Sequence, residues 1–247
     1  MTPARRFDLI IADIDGCLVP EGPEPFDLPS LARVAEHNRL AQDRGDRPVL
    51  TVCSGRPQPF VEAVCRLVGN TSAPCVAENG VWLYHPGTNE YLLDPAITDE
   101  HLAAVEEARR FLRREYGPRG VSQQPGKIAS ISLYHPDTAY LRSIEADVRD
   151  AFGRRGWPFR VSMTWLYINC DLAHVSKGTA LDRMLAAMGP GRERLAGIGD
   201  TPSDLAIRER VAWFACPANA ADTVKRVADY VAAQPEALGV VDILGRI

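Results

Sequence analysis

Short apolar runs recur along the chain at 8–12, 48–53, 195–199 and 211–215, and small or acidic residues follow each of them closely. Runs of this length without polar alternation suit strands covered on both faces, the condition of a parallel sheet. Between the first two, and again after the second, apolar positions take up a spacing of three and four. That spacing predicts a helix over 30–44, with Ser30 as N-cap and Gly45 as its stop, and another over 59–68 closed by Gly69. Strand, helix, strand and helix in this order mark a doubly wound α/β fold.

After Val76 the pattern changes. Tyr91 to Leu93 reads as a short strand, Thr98 opens a helix with Leu102, Val105, Phe111 and Leu112 on its apolar side, and 127–134 alternates like a half-exposed strand. A further helix carries Leu141, Ile144, Val148 and Phe152, and 159–169 has the pattern of a hairpin. Strands interleaved with one layer of helices predict an antiparallel α+β module. Beyond it Ser176 caps a helix bearing Leu181, Met184, Leu185 and Met188, and the last two apolar runs follow. The expected architecture is an α/β, doubly wound, Rossmann-like parallel-sheet core formed by 1–82 and 172–247, interrupted once by a smaller cap domain at 83–171.

Composition narrows the function. Of 247 residues, 46% are hydrophobic and 24% charged, and the formal net charge is −4. Such a balance gives no reason to expect nucleic acid or a membrane as partner. The first apolar run meets Asp13 and Asp15 too early for a signal peptide, and no other stretch is long and uncharged enough for a bilayer span. The six cysteines are scattered without zinc or dithiol spacing, so a reduced, cytoplasmic protein is expected.

Ligands of open parallel sheets gather beyond the carboxyl ends of the strands, which directs attention to the polar residues after each run. Asp13 and Asp15 follow the first, in Asp13-Ile-Asp-Gly-Cys-Leu18. Two carboxylates one residue apart allow one to attack phosphorus while the other handles a proton, and Gly16 permits a tight turn. A calcium loop through Asp13, Asp15 and Glu24 fails, because Leu18 stands at the sixth position where glycine is needed and no helix precedes. Ser54, Gly55 and Arg56 follow the second run. A hydroxyl and a backbone amide there suit phosphate oxygens, while Arg56 either holds substrate or pairs with a carboxylate. Lys177 stands in a first helical turn, where the dipole disfavours a cation unless an anion lies close by, the plain and commoner alternative being a solvated surface lysine. Asp200 and Asp204, in Gly197-Ile-Gly-Asp-Thr-Pro-Ser-Asp204, offer oxygens suited to magnesium, the plain alternative being a turn that caps the next helix.

In this order the four segments resemble the four motifs of the haloacid dehalogenase-like hydrolases, with Asp-x-Asp-Gly-x-Leu and the distant Gly-Asp-x-x-x-Asp carrying the likeness. Glu78-Asn-Gly80 and the long insertion after it resemble the subclass with an α/β cap that includes the Cof-type and sucrose-phosphate phosphatases. The resemblance implies that Asp13 is the nucleophile and Asp15 the general acid and base. It assigns the substrate phosphate to Ser54 and Lys177, beside which Gly55 and Arg56 are candidate phosphate contacts by position, and Mg2+ to Asp13, Asp15 and Asp200, with Asp204 supporting the metal site. Cys17 stands where threonine is usual and Ser203 where asparagine is common; neither removes a catalytic carboxylate. The expected function is magnesium-dependent hydrolysis of a small phosphorylated metabolite, a sugar phosphate foremost, through an aspartyl-phosphate. A phosphomutase of the same fold and a non-catalytic metabolite-binding protein are the alternatives. Trp165, Tyr167, Lys127 and Arg160 are candidate cap contacts, although aromatic residues in strand-forming stretches more often pack.

Overall fold

The computed structural model describes residues 5–247. The chain opens with β1 (Leu9–Ala12), α1 (Leu28–Arg44), β2 (Val49–Val52), α2 (Gln58–Leu67) and β3 (Cys75–Ala77). It continues through β4 (Trp82–His85), β5 (Glu90–Leu93), α3 (Asp99–Tyr116), β6 (Ser122–Gln123), β7 (Ser130–Tyr134), α4 (Thr138–Arg154), β8 (Phe159–Met163) and β9 (Tyr167–Leu172). The closing elements are α5 (Lys177–Met188), β10 (Leu195–Ile198), α6 (Leu205–Arg208), β11 (Trp213–Cys216), α7 (Asp222–Lys225), β12 (Tyr230–Val231) and α8 (Glu236–Leu244).

A parallel five-stranded sheet runs in the order β12-β11-β10-β1-β2. Side chains of β1 alternate between two buried layers. Ile10 and Ala12 pack with Leu31, Val61 and Val240, whereas Leu9 and Ile11 pack with Leu181, Met184 and Ile207. Helices on both faces make the sheet doubly wound, as the apolar runs predict, and burial of each large aliphatic side chain contributes about 1.5 to 3 kcal/mol. Register then places the site: Ala12 pairs with both Val52 and Ile198, so the loops after β1, β2 and β10 leave the sheet side by side.

The intervening chain builds an antiparallel sheet, β6-β7-β9-β8, whose apolar face packs with α3 and α4 through Leu112, Leu141, Ile144, Val148, Ile131 and Ile168. Another antiparallel sheet, β3-β4-β5, leaves the core through a bridge between Cys53 and Val76. Leu83 and Tyr84 of β4 are buried with core residues, while the partly buried Trp82 packs against the core and against the α3–α4 cluster.

Several local expectations shift. Helix α1 starts ahead of Ser30 because Asp27 is the N-cap, its Oδ1 accepting the Ser30 N–H at 3.1 Å; Gly45 does end it, at φ 64°. The strand expected from 127 begins only at Ser130, since the N–H groups of residues 128–130 turn to the Glu78 carboxylate instead of a strand. The expected 211–215 strand is β11, shifted toward Cys216. Strands β3 and β4, which lack alternation, and α8, whose central Gly239 weakens its helical pattern, are not evident in the sequence. Among the described residues no helix is long and apolar enough to cross a membrane.

Candidate active site

The aligned strand ends bring Asp13, Asp200 and Asp204 together, with carboxylate oxygens within 4.8 Å of one another. Lys177 Nζ, at the first position of α5, lies 3.0 Å from Asp13 Oδ1 and 2.7 Å from Asp204 Oδ1. Burial alone would discharge this lysine, but the Asp13 and Asp204 carboxylates outweigh it and hold the ammonium well above its usual range. Its place in a first helical turn is thus explained by the anions expected there.

The acids play unequal parts. Asp204 is 0% exposed and its oxygens are committed: Oδ1 to Lys177, and Oδ2 to the N–H groups of Asp200 and Thr201, both at 3.0 Å. It braces the loop and the lysine. Burial, followed by the charge of Asp204, pushes the Asp13 carboxyl up to about 8 against the pull of Lys177. Burial, followed by the charges of Asp204 and Asp13, pushes Asp200 up to about 9. A divalent cation among these oxygens would relieve that repulsion, so the donor set fits magnesium, with Asp13 and Asp200 as the carboxylates at hand.

Gly16 permits the approach of Asp200. A Cβ there would meet Asp200 Oδ2 at 2.0 Å, and its φ of +71° disfavours any side chain. Cys17, beside it, is buried with Sγ 3.8 Å from Asp200 Oδ1, and burial pushes its thiol well above the usual range. Ser203 Oγ contacts Thr201 Oγ1 at 2.9 Å, so this departure from the usual residue stays within the loop's own hydrogen bonding.

Ser54 is buried beneath the loop after β2, and its Oγ accepts the Arg56 N–H at 3.1 Å, leaving the hydroxyl proton to donate elsewhere. Gly55 and Arg56 line the cavity. The Arg56 guanidinium is turned onto Asp15: Nε lies 2.8 Å from both Asp15 oxygens and Nη2 2.5 Å from Oδ1. Of the two roles open to Arg56 from sequence, the carboxylate pair is the one formed here, which occupies the group otherwise expected on the phosphate.

All four candidate cap contacts, Trp165, Tyr167, Lys127 and Arg160, share a cavity of about 720 Å³ with Asp13, Asp15 and Lys177. Trp165 is 64% exposed there, whereas Lys127 is buried. Three further residues had no assigned role. Asn79 adopts φ 53° and donates to both Asp171 oxygens, at 3.3 and 3.1 Å, joining the core loop to β9. Glu78 Oε1 accepts the N–H groups of Ile128, Ala129 and Ser130, each at 2.9 Å. Asn219 Nδ2 donates to the Gly16 carbonyl at 2.8 Å. The Glu78-Asn-Gly80 triplet was a visible signal for the first two; Asn219 has none, since its partner lies far away in sequence.

Comparison with known proteins agrees with this geometry. A family model described as haloacid dehalogenase-like hydrolase matches residues 119–244. A protein of Methanothrix thermoacetophila named phosphoglycolate phosphatase is 37% identical over 199 residues, covering 80% of this chain and 81% of its own. The chain belongs to the haloacid dehalogenase-like hydrolases. A Methanospirillum hungatei protein, also named phosphoglycolate phosphatase, is 27% identical over 236 residues, covering 95% of this chain and 94% of its own. The sucrose-phosphatase of Synechocystis, solved with sucrose and phosphate, shares the fold at a TM-score of 0.63 and 18% identity, covering 98% of each chain. Within this family the chain is a phosphoric monoester hydrolase, which sets aside the non-catalytic alternative.

Proposed function

We propose that this phosphatase hydrolyses a small phosphorylated metabolite in a magnesium-dependent reaction, through an aspartyl-phosphate on Asp13. The observation that carries the reading is Asp13 itself, a buried carboxylate on the cavity wall with Lys177 3.0 Å away and Asp200 beside it. A carboxylate repels a phosphate dianion, so attack requires that surrounding cations offset the charge. Magnesium, held by Asp13, Asp200 and the Asp15 carbonyl with Asp204 in support, would supply that neutralisation. Lys177 keeps Asp13 oriented and shares the charge, while Ser54 O–H and Gly55 N–H donate to phosphate oxygens.

An Asp13 oxygen forms a bond to phosphorus as the bond to the leaving oxygen breaks, and protonated Asp15 gives its proton to that oxygen. A water molecule then attacks phosphorus, Asp15 takes its proton, and the bond to Asp13 breaks to release inorganic phosphate. Arg56 holds the Asp15 side chain in place between these steps and must part from it as the proton moves. Residues 83–171 serve as a cap that closes over the core and selects the substrate, a role supported by the cavity walls that both parts share. Sugar phosphates fit the fold's range, while the relatives named for phosphoglycolate favour a smaller phosphorylated acid.

Release of inorganic phosphate from both kinds of substrate, with magnesium and with excess chelator, tests the reading. Turnover should require the metal and liberate phosphate. Full activity in chelator would contradict the metal assignment, and an isomerised phosphate ester without free phosphate would favour the phosphomutase.

A further inference from the structure

Lys127 is 5% exposed on the cavity wall, and its ammonium donates to Ser132 Oγ at 2.5 Å. An ammonium has three donors and no acceptor, so this bond leaves two N–H groups to be matched. Ser132 must accept from Lys127, and its single proton therefore goes to Asn169 Oδ1, 2.5 Å away. That direction fixes the Asn169 amide and leaves its NH2 group to donate, with Asn169 also on the cavity wall.

The seat is built rather than incidental. Glu78 fixes the N–H groups of residues 128–130, and Arg109 donates to the carbonyls of Lys127 and, at 3.1 Å, of Ser130. Ser132 and Asn169 stand directly opposite each other in the β7–β9 ladder. Neither nearby acid hydrogen-bonds the Lys127 ammonium: Asp171 accepts from Asn79 and pairs with Arg160 at 3.6 Å, and Glu78 Oε1 also accepts the Ser130 hydroxyl at 3.0 Å while its Oε2 is buried without a partner. Arg142, another cation on the cavity wall, is exposed and holds no comparable position. A buried cation with free donors facing a ligand cavity is costly unless an anion completes it.

We propose that Lys127 and Asn169 bind a carboxylate at the end of the substrate remote from the phosphate, which makes the preferred substrate a phosphate monoester of a hydroxy acid. This inference rests on the phosphatase reading of the Asp13 site. The test compares 2-phosphoglycolate with ethyl phosphate, which has the same two carbons and no carboxylate, by kcat/KM in magnesium. The wild-type protein should prefer phosphoglycolate. In Lys127→Met the ratio of the two kcat/KM values should fall about 100-fold, the scale of a lost charged hydrogen bond. Asn169→Asp, nearly isosteric and placing a like charge against the carboxylate, should lower the ratio in the same direction. A wild type that does not discriminate, or a ratio unchanged within about threefold in both variants, overturns the inference while leaving the phosphatase reading intact. Failure of the wild type to hydrolyse either ester, or any other phosphate monoester, would overturn both.

Discussion

Asp200 and Asp204 lie four residues apart, yet their surroundings make opposite demands. Asp204 gathers Lys177 and two backbone N–H groups, so Asp204→Ala strips a buried cation of a partner and should cost about 3 to 5 kcal/mol. Asp200 is held up to about 9 by burial and by the charges of Asp204 and Asp13. Between its ordinary value of 3.8 and about 9 the folded protein binds a proton that the unfolded chain has released, so metal-free stability falls as pH rises through that window. Asp200→Asn removes this penalty. In chelator it should raise the urea midpoint at pH 8 and change it little near pH 4, whereas Asp204→Ala should lower the midpoint at both. Equal effects of the two substitutions would contradict the division of roles. The sequence showed both acids as a pair but not this asymmetry, because it arises from Lys177, which comes 27 positions before Asp204.

At the scale of elements, the parts whose signal lies within their own residues were the most legible. The continuous apolar runs of β1, β2 and β10 and the Gly45 stop of α1 follow from local periodicity and turn chemistry. The turn before β7 did not, since its backbone donors go to the side chain of Glu78, some fifty residues earlier. That contact gives the turn its own test. Glu78→Ala leaves three N–H groups without their acceptor and should cost at least about 1 to 3 kcal/mol. Hydrogen exchange should accelerate at residues 128–130 ahead of the parallel sheet. Unchanged exchange there would show that the turn does not depend on Glu78.

Across the whole molecule, strand register and one helix start assemble the candidate chemistry: β1, β2 and β10 end together, and α5 delivers Lys177 to the same edge. Three of the four motifs were therefore readable from sequence as residues at strand ends, and Lys177 as a cation in a first helical turn. Of what faces them, Lys127 was among the candidate cap contacts and Asn79 lay in a visible triplet, but Asn169 was not legible, because it meets Ser132 through a pairing between distant segments. In the proposed reaction Asp13 carries the phosphoryl group. Asp13→Asn lacks the attacking oxygen, whereas Asp15→Asn keeps it and loses a proton donor and base worth about 10² to 10⁴ in rate. Rapid acid quench of each variant with an aryl phosphate, whose leaving group needs little protonation, followed by peptide mass spectrometry, tests the claim directly. An acid-stable, hydroxylamine-sensitive phosphoryl adduct should accumulate on Asp13 in Asp15→Asn and be missing from Asp13→Asn. An adduct on another residue, or equal turnover by the two variants, would contradict the account.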